Sequence, residues 1–516
     1  AAEAIVGAGM QANSDLDIVS TSLTVTRNLT ATVGRIHLKS TENIVVQAGS
    51  SNSSKTSIQA PGGDITLQSD SDGNNDGYIW IQNFSNISTG SGGGDILLSG
   101  GSNPNTGFAT ASSADGSHRP GLQLGAFTTV PGYAEGITLA SGTGDLILRG
   151  RAASNTAGRG VLVPLSSSDA NKTSLTGDNI TITGESAGAG SWYGVEIGNA
   201  SSLSATNVRT LFNASGTLAI NGTSSNFDGV GAWGNYEFIG NRVTVTGSGP
   251  RGSVRIWTGA SAPSSIVAGS GGFSFSATKS GLVIDDAAIF QPGSFSSSGP
   301  VSLVFDAATS SVAPLTVAVP MSVTNTEVTV RANNINLTGS INAGTGSVKF
   351  EPHTNSRAIT AGTEVTGTLA LSATELGAIT ASTLRLETGG NLDVTSNLTF
   401  TNKVSTLAIR AGGNVSAASN LSVVVANLGI DAGGNITWPG TGHNAAVIAL
   451  NAGASGTISF GQSANYSVAV VDGIDPEFGL ATKFVLSNVD RTNTVDRFMA
   501  VTFNPPPAVV LQDRFN

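Results

Sequence analysis

Few residues in this chain have the type and spacing to do chemistry. Asp285-Asp286 is the one adjacent pair of carboxylates, and paired acids are what general acid–base cleavage of a glycan requires. Neighbours on a strand point to opposite faces, so this pair reads as the turn that ends a strand. His37, His118, His353 and His443 are the whole histidine supply. Each could serve as a base beside the abundant Ser and Asp, but no Gly-x-Ser-x-Gly elbow accompanies them. His37 alternates with Ile36 and Leu38, which places it on the solvent face of a strand. Asp72-Gly73-Asn74-Asn75-Asp76-Gly77 matches the opening of a calcium loop, with oxygen ligands at alternate positions and then a glycine. The twelfth position is Asn83, where a bidentate Glu is expected, and the competing reading is a polar loop that leaves the fold. Gly92-Gly93-Gly94-Asp95 is half of a nonapeptide calcium repeat without its tandem copy. Gly269–Gly272 lacks the following Lys-Ser/Thr of a phosphate loop. Trp80, Trp192, Tyr193, Trp233, Tyr236 and Trp257 fall in the first half of the chain. They suit either sugar stacking on an exposed face or the filling of wide interior turns. No catalytic, cofactor or metal residue is therefore assigned, and calcium at Asp72, Asn74 and Asp76 is the one cofactor candidate.

The composition narrows the classes further. The chain has 516 residues, of which 67 are Gly and none is Cys, so disulfides, iron–sulfur clusters and thiol nucleophiles are excluded. A net charge of −10 argues against nucleic-acid binding, which needs a basic face. No apolar run is long enough for a transmembrane helix. The opening Ala1-Ala2-Glu3-Ala4-Ile5 resembles an end left by a small-residue cleavage site. Asn-x-Ser/Thr acceptors recur, for example at Asn83, Asn179, Asn199, Asn221, Asn336 and Asn435.

The elements that must position these residues are strands. Gly, Ser, Thr and Asn interrupt almost every helical window, and the best helical candidate is a short one around Ala373–Ile379. A unit of small residue, Asp or Asn, then apolar-polar-apolar recurs throughout. It is read in Gly63-Asp64-Ile65-Thr66-Leu67, Gly94-Asp95-Ile96-Leu97-Leu98, Gly144-Asp145-Leu146-Ile147-Leu148, Asp178-Asn179-Ile180-Thr181-Ile182 and Gly216-Thr217-Leu218-Ala219-Ile220. It returns in Gly390-Asn391-Leu392-Asp393-Val394, Gly413-Asn414-Val415-Ser416 and Gly434-Asn435-Ile436-Thr437. This grammar predicts an all-β, right-handed parallel β-helix, a β-solenoid with irregular loops. Gly, Asn and Asp are expected at positive-φ corners, with stacked Asn ladders beside them. At about 20 residues per coil the chain would make roughly 25 coils. The expected organisation is a first β-helix half at 1–262, a Pro/Ser/Gly-rich seam at 263–300, a second half at 301–470, and a charged, Pro-containing tail at 471–516 that acts as a cap or docking arm.

Asp178–Gly184, Tyr193–Ile197, Gly216–Gly222, Asn336–Gly346 and Thr368–Leu386 resemble the coil repeats of filamentous-haemagglutinin-like large exoproteins. The resemblance runs over about 178–470, more loosely over 34–150, and does not reach the tail. It implies a secreted β-helical protein, exported through an outer-membrane partner pore and used for adhesion or surface fibres. The family's Asn-Pro-Asn-Gly motif is not met: Asn103-Pro104-Asn105 is followed by Thr106. The expected function is a non-catalytic extracellular protein at the bacterial surface, an adhesin or a self-assembling fibre or matrix subunit. Its expected partners are other copies stacked head to tail and glycans or proteins of a host or surface, with no nucleic acid. The rivals are a carbohydrate-active β-helix enzyme, a polysaccharide lyase or hydrolase marked by carboxylates converging on one strand face, and a trimeric phage-type tail fibre module.

Overall fold

A computed structural model describes residues 3–7, 9–111, 120–125, 135–153, 158–164, 166, 171–187, 192–198, 210–258, 264–279, 287–307, 313–440, 442–453, 456–461 and 466–476. The protein is nearly all β, 55% strand and 1% helix, and its sheets are parallel; one group of eight parallel strands closes as a barrel. Contacts divide the chain into two units, one of Ala1–Thr324 with Asn336–Ser340, the other of Asn325–Ile335 with Ile341–Asn516.

In the first unit the chain visits three parallel ladders in a fixed order. Ser22–Val25, Leu29–Ala31 and Ile36–Ser40 make one circuit. Ile44–Val46, Thr56–Gln59 and Ile65–Ser69 make the next, each strand in register with its counterpart. The quoted repeats fall on successive rungs of one ladder. Ile65, Ile96, Leu146, Ile180, Leu218 and Val243 form one interior column, and Leu67, Leu98, Leu148, Ile182, Ile220 and Val245 the next. All twelve side chains are fully buried, so each apolar pair packs on the same pair one circuit away. Circuit length varies: Leu16 pairs with Ile36 at the expected spacing of about 20 residues, whereas Ile79 lies between the more distant Ile44 and Leu122 in its ladder. Insertions leave at the corners and do not disturb the register of the strands.

Asp and Asn of the repeat do form a ladder, but not by adopting positive φ. The Asp64 carboxylate accepts the Asp95 N–H at 2.9 Å, and Asp95 accepts the Asp145 N–H at 2.8 Å. Asn179 continues the column by accepting from Thr217 N–H at 2.8 Å. The repeat glycines are needed for close approach: a Cβ at Gly94 would collide with the Gly63 carbonyl oxygen, and one at Gly144 with that of Gly94. Positive φ belongs to their predecessors, Gly62 at 80° and Gly93 at 64°.

The stretch 263–300 holds regular strands. Ser265–Lys279 is a 15-residue strand that pairs in register with Tyr236–Gly249, shifting once at Gly240/Arg242, and with Val301–Asp306. Its glycines serve tight stacking, since a Cβ at Gly272 would strike the Pro300 carbonyl. The division of contacts falls between Thr324 and Asn325.

The second unit repeats the grammar with Asn. Leu392, Val415, Ile436 and Ile458 stack in one ladder. Asn391, Asn414 and Asn435 each accept the backbone N–H of the next corner at 2.8 Å. The expected short helix spans Ala373–Gly377, held by a capping box between Ser372 and Glu375.

Candidate functional site: a charged face of the second unit

Opposite the buried columns of the second unit, the alternation turns long polar side chains outward. Register aligns them. Arg331 lies beside Glu351, Lys349 beside Arg385, Glu387 beside Arg410, Arg410 beside Asp431, and Asp431 beside Asn451. They lock together by charge. Lys349 Nζ is 3.1 Å from Glu351 and 4.0 Å from Glu387. Arg410 Nη1 is 3.1 Å from Glu387, and Arg331 Nε is 3.8 Å from Glu351. Asn451 donates its amide to Asp431 at 2.8 Å.

Arg331, Glu351, Glu387, Arg410 and Asp431 line an open groove of about 520 Å³, with the stacked glycines Gly389, Gly412 and Gly433 along its border. Three carboxylates thus share one strand face, yet each has a partner. A general acid must be kept protonated by burial or a like charge, and a nucleophile must be free to attack. Here Arg331 and Lys349 flank Glu351, and Lys349 and Arg410 flank Glu387. The arrangement binds by hydrogen bonding and charge along a line of alternating sign.

At one edge of this face Asp472 sits between two guanidinium groups. Arg385 Nε and Nη2 donate to its two oxygens at 2.8 Å each, and Arg410 Nη1 donates at 3.1 Å. Arg410 also donates to the Asp472 carbonyl. The Arg385 hydrogen bonds, then those of Arg410, hold the Asp472 carboxyl below the ordinary carboxylate range. Arg385 is pushed up in return, mainly by Asp472.

A second cluster lies in the first unit. Glu196 is on an outward position of Val195–Ile197, yet it is 2% exposed and paired with Arg159. Asp228 is fully buried, 3.0 Å from Arg255 Nε. Burial pushes the Glu196 carboxyl up, against the pull of Arg159. Burial, and then the charges of Glu196 and Asp228, push the Tyr193 phenol up. Aromatic rings form the roof: Trp192–Phe227, Phe227–Tyr193, Tyr193–Trp233 and Trp233–Trp257 are 5.9, 4.7, 6.1 and 5.4 Å apart. Gly231 makes room, because a Cβ there would lie 2.6 Å from the Tyr193 ring.

Of the six aromatics singled out, only Trp192 and Trp257 are exposed; Tyr193, Trp233 and Tyr236 are buried, and half-buried Trp80 donates its indole N–H to Gly125 O at 2.6 Å. His37 is on an outward strand position as expected, 3.1 Å from Gln68. His443 is not a surface residue. It is 1% exposed, stacks on Phe460 at 4.6 Å and accepts the Val423 N–H on Nδ1 at 3.1 Å; burial lowers its pKa. His353 is half-buried in the second unit. His118, Asp285, Asp286 and Asn199 lie outside the described residues.

In the calcium-like loop Asn74 donates its side-chain NH2 to Asp72 at 3.0 Å. Asp70 organises the loop by accepting the Asn75 N–H at 3.0 Å. Among the described residues no three His, Asp or Glu are grouped to hold a metal. Among the sequons, Asn179 and Asn435 serve the corner ladders and Asn336 is exposed.

The sequence reading missed Glu196, Asp228 and the ladder from Arg331 to Asp431. The ladder is visible only once register is known, although most members sit between two apolar residues, as Lys349 does in Val348-Lys349-Phe350. No protein-family model, curated protein or solved structure matches the chain. Among the described residues no helix is long and apolar enough to cross a membrane.

Proposed function

We propose that this chain is a right-handed parallel β-helix of the filamentous-haemagglutinin-like kind, exported through an outer-membrane pore and displayed at the bacterial surface. It is non-catalytic, and it adheres through outward faces such as the ladder from Arg331 to Asp431. The observation that carries the reading is the in-register stacking of the Gly-Asp/Asn repeats, coil on coil. That stacking repeats a polar face at rung spacing, about 4.8 Å, which suits a polar polymer better than a small substrate. The pairing of the groove carboxylates, Glu351 and Glu387 with cations and Asp431 with the Asn451 amide, supports binding without acid–base chemistry.

The test is retention on a panel of immobilised polysaccharides, with reducing ends assayed in parallel and with protease accessibility on intact producing cells. Salt-sensitive retention without new reducing ends, on a chain cleaved from outside, is expected. Catalytic turnover, or protection of the chain inside intact cells, would overturn it. One observation favours a second reading, a carbohydrate-active enzyme: Glu351, Glu387 and Asp431 share one groove. Release of products that stops in Glu387→Gln would establish that reading.

A further inference from the structure

After Ser467–Val468 the chain leaves the ladder and doubles back across the outward face. Val471 and Ile474 exchange both backbone hydrogen bonds, at 3.2 and 2.9 Å. Between them Asp472 and Gly473 have φ of 51° and 75°. Two left-handed central residues in an Asp-Gly pair define a tight hairpin tip. The tip lands on a shelf. Ala408, Gly429 and Ala449 are register partners on three successive rungs, and Val471 and Ile474 are buried against the two alanines. A Cβ at Gly429 would lie 3.0 Å from Ile474 Cδ1 and 3.1 Å from Val471 Cγ1. The same column holds Lys349 and Arg385 on preceding rungs, so the small residues occur where the tip needs room. The carboxylate of Asp472 meanwhile fills the fork of Arg385 and Arg410.

This contact is a complete recognition unit: two apolar side chains on a small-residue shelf, and one bidentate carboxylate. It is also self-contained. Val470 before it is 57% exposed, and Asp475 after it is exposed, so four residues carry the docking. We propose that Arg385, Arg410 and the Ala408–Gly429–Ala449 shelf form an interaction surface for a second copy of this chain, which docks through its own Val471–Ile474 tip. The tip seen here is the resident occupant in cis. At high local concentration, as when copies are arrayed on a surface, the tip of a neighbour takes its place and the chains become linked. The inference stands apart from the adhesive reading, since it needs only the acceptor and the tip.

Two full-length variants test it. One lacks the tip (Val471→Ser, Asp472→Ser, Ile474→Ser) and the other lacks the acceptor charges (Arg385→Ser, Arg410→Ser). Each alone is expected to sediment as a monomer, and the equimolar mixture as a one-to-one complex that dissolves in about 0.5 M salt. Hydrogen exchange reports whether the tip is free in the second variant. A mixture that stays monomeric although the tip is free overturns the proposal. So does a tip that stays protected without the two arginines. Should a multiple variant fail to fold, Asp472→Asn replaces it, with a labelled peptide of residues 470–476 as probe. Binding at least about tenfold tighter to Asp472→Asn than to the parent is expected; equal affinity for both chains counts against an acceptor that the resident tip occupies.

Discussion

Both units put arginines and carboxylates on the outward side of a parallel ladder, and they use them in opposite ways. In the first unit Glu196 and Asp228 are roofed by Tyr193, Trp233 and their neighbours, and each is matched to one arginine. In the second unit the ladder from Arg331 to Asp431 stays open, and its charges are shared along the column. Glu196 and Arg255 hold outward strand positions as the ladder residues do, while Arg159 and Asp228 come from the segments just before strands, and solvent access decides the energetics. A roofed pair is a structural commitment, because removing either partner strands a charge in a dry site. An open pair contributes little to stability and keeps its hydrogen bonds available to an incoming polymer.

The comparison breaks first at Glu196. Glu196→Ala is expected to destabilise the first unit by about 3–5 kcal/mol, because it leaves Arg159 uncompensated, whereas Arg159→Met with Glu196→Leu is expected to restore most of that loss. Denaturant titration of each variant checks both outcomes. Gly231→Ala comes next. Its methyl would push Tyr193 and Trp233 off their seats, at a cost of about 1–3 kcal/mol, with a change in tryptophan emission as the roof opens.

Acid acts on the second unit in two steps. Asp472 has its carboxyl held low by Arg385 and Arg410, with Glu327 and Glu387 also near the fork. Its contribution is complete above the usual carboxylate pKa of about 4 and is lost as pH falls through the depressed folded value. The tip amides of Val471–Ile474 should therefore keep their exchange protection at mildly acidic pH and lose it only below the ordinary range. His443 acts earlier. Its folded form favours the neutral imidazole, so its contribution is full above about pH 6.5 and wanes below. A His443→Gln chain should show a flatter stability profile across that interval. The smallest effect belongs to the open ladder: Lys349→Ala is expected to cost under about 1 kcal/mol, less still in high salt, while weakening polysaccharide retention.

The strand grammar was legible because two periods coincide. Ile65 and Leu67 alternate along the strand, and Gly63-Asp64 marks the corner where the next circuit stacks. Circuit length was not legible, since loops such as 103–107 leave without altering register. Alternation also misplaces Glu196, because it assigns every outward position to solvent and cannot see a roof built from Trp192 and Tyr193. His443 hides for a similar reason: nothing local announces that Trp438 and Phe460 enclose it. The hairpin tip had a signal, Asp472-Gly473 between Val471 and Ile474, but its seat combines residues from three rungs that are remote in sequence.

The corner columns of Asp64 and Asp95 in one unit and Asn391, Asn414 and Asn435 in the other rest on the same oxygen, Oδ1, taking a backbone proton from the adjoining circuit. Hydrolysis of an asparagine amide to the acid keeps that oxygen. An Asn→Asp exchange at any of these corners therefore leaves the acceptor of the seam hydrogen bond in place.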